Sequence, residues 1–137
     1  MIGILLLGQH GMTEGLLEAT RHVLGTLPPQ LSALAVDYNQ PVDEIGQQVG
    51  RAITDADRGN GVLILADIYG ATHVNLACQR LVPNRIELIS GVNLPMLLRV
   101  LNYAPQSMQD LIDTARAGGT TGIRCAHSSS SSNGNSK

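Results

Sequence analysis

Short apolar runs alternate along the chain with longer stretches whose apolar positions recur at helical spacing. Residues 2–7, 31–36, 61–66 and 85–90 read as strands buried on both faces, and residues 122–126 as a weaker fifth. Between them Leu16, Leu17, Thr20, Val23 and Leu24 predict one helical face, and Val42, Ile45, Val49, Ala52 and Ile53 a second. Val74, Ala77, Cys78 and Leu81 predict a third. Pro95, a residue suited to a first helical turn, opens the fourth, through Met96, Leu97, Val100 and Leu101. Met108, Leu111, Ile112 and Ala115 predict the fifth, with Gly118-Gly119 as its stop signal. Apolar strands spaced by amphipathic helices imply βαβ units. The expected product is an α/β fold: a single open, doubly wound, mainly parallel sheet covered by helices on both faces, spanning residues 1–126. From Ser128 the chain reads "SSSSSNGNSK", with nothing to bury, so residues 127–137 are expected to be a disordered tail.

Composition narrows the function classes. The 137 residues suit one domain with a real core. A formal net charge of -2 offers no electrostatic footprint for nucleic acid or an anionic membrane. Phe and Trp are absent and only Tyr38, Tyr69 and Tyr103 are aromatic, which argues against stacking on bases or sugars as the main task. Cys78 and Cys125 have neither CxxC nor metal-ligand spacing and are expected to be buried free thiols. No basic leader precedes the first apolar run, and no segment approaches the roughly 20 apolar residues that span a bilayer. A cytoplasmic protein without direct membrane insertion is expected.

Candidate chemistry follows from topology. Open α/β sheets place their sites at the carboxyl ends of strands, where the strand order reverses. In the common 2-1-3-4 order, that crevice lies between strands one and three. The first strand ends in "GQHG", which delivers His10; the third, in "GVLILADIYGATHVN", ends at Asp67. A carboxylate that accepts the N–H of one imidazole nitrogen fixes the tautomer and makes the other nitrogen the better nucleophile. Gly11 and Gly70 lie in the adjoining turns, and Thr72 stands where the helix after strand three should begin. Backbone N–H groups and a hydroxyl there can hold phosphate oxygens. The plain alternative, a loop histidine and an unremarkable acid at a helix start, stays open on these residues alone. His73, beside Thr72, could contact phosphate or a partner or shape the site; His22 reads as a solvated helix residue and His127 as idle. No set of His, Cys, Asp or Glu has metal-ligand spacing, and no GxxxxGK[ST] or GxGxxG loop appears, so no metal and no other cofactor is expected.

Three segments, "LLGQHGMTEGLLEA", "GVLILADIYGATHVNLA" and "ELISGVNLPMLLRVL", together resemble enzyme IIA, the A component, of the mannose family of the bacterial phosphoenolpyruvate-dependent sugar phosphotransferase system. The resemblance covers residues 1 to about 126, and "GVNLPML" is its most specific part. It implies that His10 takes a phosphoryl group from the histidine-containing phosphocarrier protein and passes it to an enzyme IIB component. It further implies that Asp67 orients the ring and that the protein is a homodimer. Asn93 and Pro95 are expected to shape the loop beside the site. The weak last strand and the helix at 96–101 are candidate dimer surfaces. Asp67, Gly70, Thr72 and Asn75 keep the family pattern, whereas Ala71 replaces its second glycine, His73 its proline, and Gln9 a small hydroxyl residue. The alternative reading is a stand-alone regulatory phosphoprotein whose His10 phosphorylation controls partner binding. A histidine phosphatase would need an arginine where Gln9 stands. A receiver domain would need an acidic pair after strand one and a late lysine, and the sole lysine is Lys137.

Overall fold

Every side chain from Ile4 to Leu7 is sealed from solvent, and successive ones enter opposite cores. Alternation along a strand forces this when both faces of a sheet are covered. The structure, a computed structural model, describes residues 1–127. Along the chain run β1 (Gly3–Gln9), α1 (Met12–Leu24), β2 (Leu31–Val36), α2 (Val42–Ala56), β3 (Val62–Ala66), α3 (Thr72–Cys78), β4 (Ile86–Ser90), α4 (Leu94–Leu101) and α5 (Met108–Thr121). The strands form one sheet in the order β2-β1-β3-β4, parallel throughout.

On one face Ile4, Leu6, Leu63 and Leu65 pack with Met96, Leu97, Val100 and Leu111, and Leu16 and Leu17 of α1 close over them. On the other, Leu5, Leu7, Val62 and Ile64 meet Ile45, Val49 and Ile53 of α2 and Ala77 of α3. Helices α1, α4 and α5 therefore cover one face, and α2 and α3 the other. The chain steps from β1 outward to β2, then back across to β3. The carboxyl ends of β1 and β3 consequently lie side by side, with Leu7 opposite Ala66 and the Asp67 N–H donating to the Leu7 carbonyl at 3.2 Å.

Four expectations are corrected here. Gly118-Gly119 does not end the last helix, because α5 runs on to Thr121. Both glycines are buried, and a Cβ on Gly118 would lie 2.7 Å from the Arg99 Cβ. They stay bare so that α4 can lie close, a tertiary demand that outweighs their poor helix propensity. Residues 122–126 form no strand: the longer α5 uses up the approach, and Ile123 is left 78% exposed with no ladder partner. The apolar side of α4 is no free surface for a second copy, since Met96, Leu97, Val100 and Leu101 are buried in this chain's own core. Neither cysteine is buried. Cys78 ends α3 half-covered, while Cys125 lies exposed beyond α5, its Sγ 2.7 Å from Nδ1 of His127. Residues 128–137 of the expected tail lie outside the described residues.

Candidate functional site

The peptide that leads into His10 is anchored from three directions. The Gln9 N–H donates to Asp67 Oδ2 at 3.0 Å, and the Gln9 carbonyl accepts from the Thr13 hydroxyl at 3.0 Å. The His10 N–H donates to the Val36 carbonyl, also at 3.0 Å. Asp67 follows β3, Thr13 sits buried in the first turn of α1, and Val36 ends β2, so three separate elements hold one strand end. The His10 side chain projects from this fixed backbone and is 75% exposed.

The carboxylate that meets the His10 ring is Glu14. Its Oε2 lies 2.6 Å from His10 Nδ1, and its Oε1 accepts the Gly11 N–H at 2.6 Å. The N–H of Gly11, then its own N–H, hold the Glu14 carboxyl below the usual range, with His10 adding to the effect. Among the described residues, His10 Nε2 meets no hydrogen-bond partner. Spacing alone could have pointed to Glu14, four residues after His10 and three after the residue that caps α1.

The structure does not bring the His10 ring onto Asp67. That carboxylate is almost fully covered, its side chain 5% exposed, and nearer donors occupy both oxygens. Oδ2 holds the Gln9 N–H, while Oδ1 accepts the Ile68 N–H at 2.8 Å and lies 2.7 Å from His73 Nε2. Burial pushes the Asp67 pKa up, but hydrogen bonds from Gln9, His73 and Ile68 outweigh it and hold the group below the ordinary carboxylate range. The link from Asp67 to His10 thus runs through the Gln9 peptide.

A pH dependence follows from that lowered value. A carboxyl with a depressed folded-state pKa stabilises the fold above its unfolded value, and this contribution fades as pH falls through the folded value. The gap in urea midpoint between the wild type and Asp67→Asn is therefore expected to be constant above about pH 5 and to narrow below about pH 4. Urea titrations from neutral pH downward check this; a gap independent of pH would remove the assigned ionisation.

The remaining candidates sort by position. Gly11 caps α1; Gly70 lies in the exposed loop after Asp67, its carbonyl 3.4 Å from Asn75 Nδ2; and Thr72 begins α3 with an exposed side chain. Asn93 is structural: its Oδ1 caps α4 by accepting the Met96 N–H at 2.9 Å, and its Nδ2 donates to the Gly119 carbonyl at 3.1 Å. Pro95 lies in the first turn of α4. Asn93 also lines a cleft of about 480 Å³ with Tyr69, Ser90, Arg116 and Ile123, and this cleft does not include His10 or Asp67. His73 is wholly buried behind Asp67, so its ring faces neither phosphate nor a partner at the surface. Its contact with Tyr38, 35 residues away, had no signal in the sequence. His22 is exposed near the end of α1. Among the described residues, no group of three or more His, Cys, Asp or Glu could hold a metal ion, and no helix is long and apolar enough to cross a membrane.

Residues 3–116 match the family EIIA-man, described as PTS system fructose IIA component. The PTS system fructose-specific EIIA component of Bacillus subtilis (strain 168) is 27% identical over 119 residues, covering 85% of this chain and 81% of that one. Among solved structures, the mannose/sorbose specific IIA subunit from Enterococcus faecalis superposes with a TM-score of 0.81 at 19% identity, over 94% of this chain and 97% of its own. The phosphotransferase system component EIIA from Streptococcus agalactiae gives 0.79 at 20% identity, over 91% and 97%. At such identities these two structures establish a shared α/β fold.

Proposed function

Because the chain belongs to the mannose family of IIA components of the sugar phosphotransferase system, we propose that it carries a phosphoryl group on His10, taken from the histidine-containing phosphocarrier protein and passed to an enzyme IIB component. The observation that carries this reading is an exposed imidazole on a backbone anchored at three points, with Nδ1 against a carboxylate and Nε2 open. Such fixation removes orientational freedom before the partner arrives.

In this reading Nε2 attacks in line on the phosphorus of the phosphocarrier's phosphohistidine. The new P–N bond forms as the old one breaks, and the bonding pair returns to the donor imidazole. His10 keeps its Nδ1 proton, so the phosphorylated ring carries positive charge, which the Glu14 carboxylate 2.6 Å away offsets. The Thr72 hydroxyl and the Gly70 N–H supply hydrogen bonds to the transferring oxygens, since such transfers rest mainly on positioning and electrostatics. The Gly11 N–H stays with Glu14 and steadies its carboxylate. Asp67 acts by holding Gln9 in place. Glu14→Ala is accordingly expected to slow transfer by about tenfold without abolishing it, measured as the rate of phosphoryl uptake by rapid quench; an unchanged rate would free Nδ1 from any need of the carboxylate.

The test of the function is incubation with phosphoenolpyruvate, enzyme I and the phosphocarrier, followed by intact mass measurement before and after acid. One acid-labile phosphoryl group supports the reading, and a protein that stays unmodified overturns it. Discharge by a purified B component then separates transport from the regulatory alternative, in which the charged form persists.

A further inference from the structure

Behind Asp67 a line of hydrogen bonds leaves the site and runs through the protein interior to Tyr38. We propose that His73, with its tautomer set by Tyr38, is a positioning residue for phosphoryl transfer at His10, acting through the Asp67 carboxylate; this deepens the reading of His10 as phosphoryl acceptor and rests on it. His73 is 0% exposed, and a ring so placed costs free energy unless both nitrogens find partners. Both do. Nε2 lies 2.7 Å from Asp67 Oδ1, and Nδ1 meets the Tyr38 hydroxyl. The same hydroxyl oxygen accepts the His73 backbone N–H at 3.2 Å and keeps its own proton to give to Nδ1, while the ionised Asp67 carboxylate can only accept from Nε2. Nδ1 is therefore the acceptor, and Nε2–H donates to Asp67.

That donation matters because a carboxylate can rotate. Asp67 Oδ2 receives the Gln9 N–H only while the plane of the group is held, and His73 together with the Ile68 N–H holds it by Oδ1. The line of contact runs from Tyr38 through His73 and Asp67 to the peptide just before His10. Where the resemblance places a proline, a side chain with no N–H to give, this chain places an imidazole aimed at Asp67. Gln9 and Ala71, the chain's other departures, flank the same line in sequence.

The test compares His73→Leu, His73→Gln and Tyr38→Phe over a concentration series of the phosphorylated phosphocarrier. His73→Leu is expected to lower kcat about tenfold or more, with KM within about twofold of wild type. His73→Gln, whose amide N–H can still reach Asp67 Oδ1, is expected to recover most of that loss. Tyr38→Phe is expected to fall between them, with the His73 ring ¹⁵N shifts moving away from a single Nε2–H tautomer. A wild-type kcat in His73→Leu, or no rescue by glutamine in variants of equal thermal stability, overturns the proposal. Should His73→Leu fail to fold, Tyr38→Phe decides: unchanged kcat with unchanged ring shifts overturns it. If the wild-type protein accepts no phosphoryl group, the functional reading falls by itself. Positioning is then read from amide exchange at Gln9, faster in His73→Leu than in His73→Gln if it holds and equal in the two if it does not.

Discussion

Alanine in place of His10 is expected to leave a folded protein that takes up no phosphoryl group. The ring is 75% exposed and belongs to neither core, so its removal costs only a solvent-screened surface contact with Glu14. The backbone hydrogen bond from residue 10 to Val36 does not depend on the side chain. The thermal midpoint is thus expected to stay within about 4 °C of wild type. Phosphoryl uptake, by contrast, loses its acceptor nitrogen. His73 cannot substitute because it is sealed from solvent, and His22 lies near the far end of α1. Intact mass after incubation with phosphoenolpyruvate, enzyme I and phosphocarrier reads one quantity, and a thermal melt the other. An acid-labile phosphoryl group on the alanine variant would assign the chemistry to a different residue.

Gly8→Val is expected to damage both the fold and the transfer. A Cβ at position 8 would stand 2.7 Å from the Thr13 hydroxyl oxygen and 3.3 Å from Asp67 Oδ2. These are the two groups that grip Gln9 by its carbonyl and its N–H. Both sit in covered surroundings with little room to withdraw, so overpacking is expected to cost about 1–3 kcal/mol. The displaced grip is expected to reduce the rate of phosphoryl uptake by about a hundredfold, since misplacement of a reacting group by about 1 Å has effects of that order. Urea titration and rapid-quench transfer measure the two losses separately. A stability loss of that size with a wild-type rate would show that His10 does not need its anchored approach.

The central strands were legible because their side chains from Ile4 to Leu7 and from Val62 to Ala66 are buried whichever way they point. A run of unbroken apolar residues records that condition directly. From there, parallel pairing and the meeting of β1 and β3 followed with little further information. The last helix was misread for the opposite reason: glycine weakens a helix locally, and only the nearness of Arg99 and Met96 shows why two of them belong inside one. Residues 122–126 have strand-like character but no neighbour to pair with, and pairing is not a property of a segment alone.

The site divides in the same way. His10 could be found because a polar residue ending a buried strand stands out against its apolar run. Asp67 stood out similarly, yet its contacts did not, because Gln9 and Ile68 bind it through main-chain N–H groups that every residue possesses. Tyr38 joins the arrangement from the loop after β2, and no spacing rule links it to His73. Glu14 was readable by its offset from His10, but the strand-end acid was the more conspicuous carboxylate.

His10 offers one open nitrogen at the end of a fixed strand, and under the proposed chemistry this has a kinetic consequence. One imidazole nitrogen can be bonded to a single phosphorus at a time, so loading and unloading must alternate on the same atom. Donor and acceptor proteins then compete for one place instead of assembling around it. Uncharged partners occupy that place as readily as they can dock, so an excess of either one slows the turn of the other. Throughput is set by the ratio of the two partners as well as by the amount of this protein.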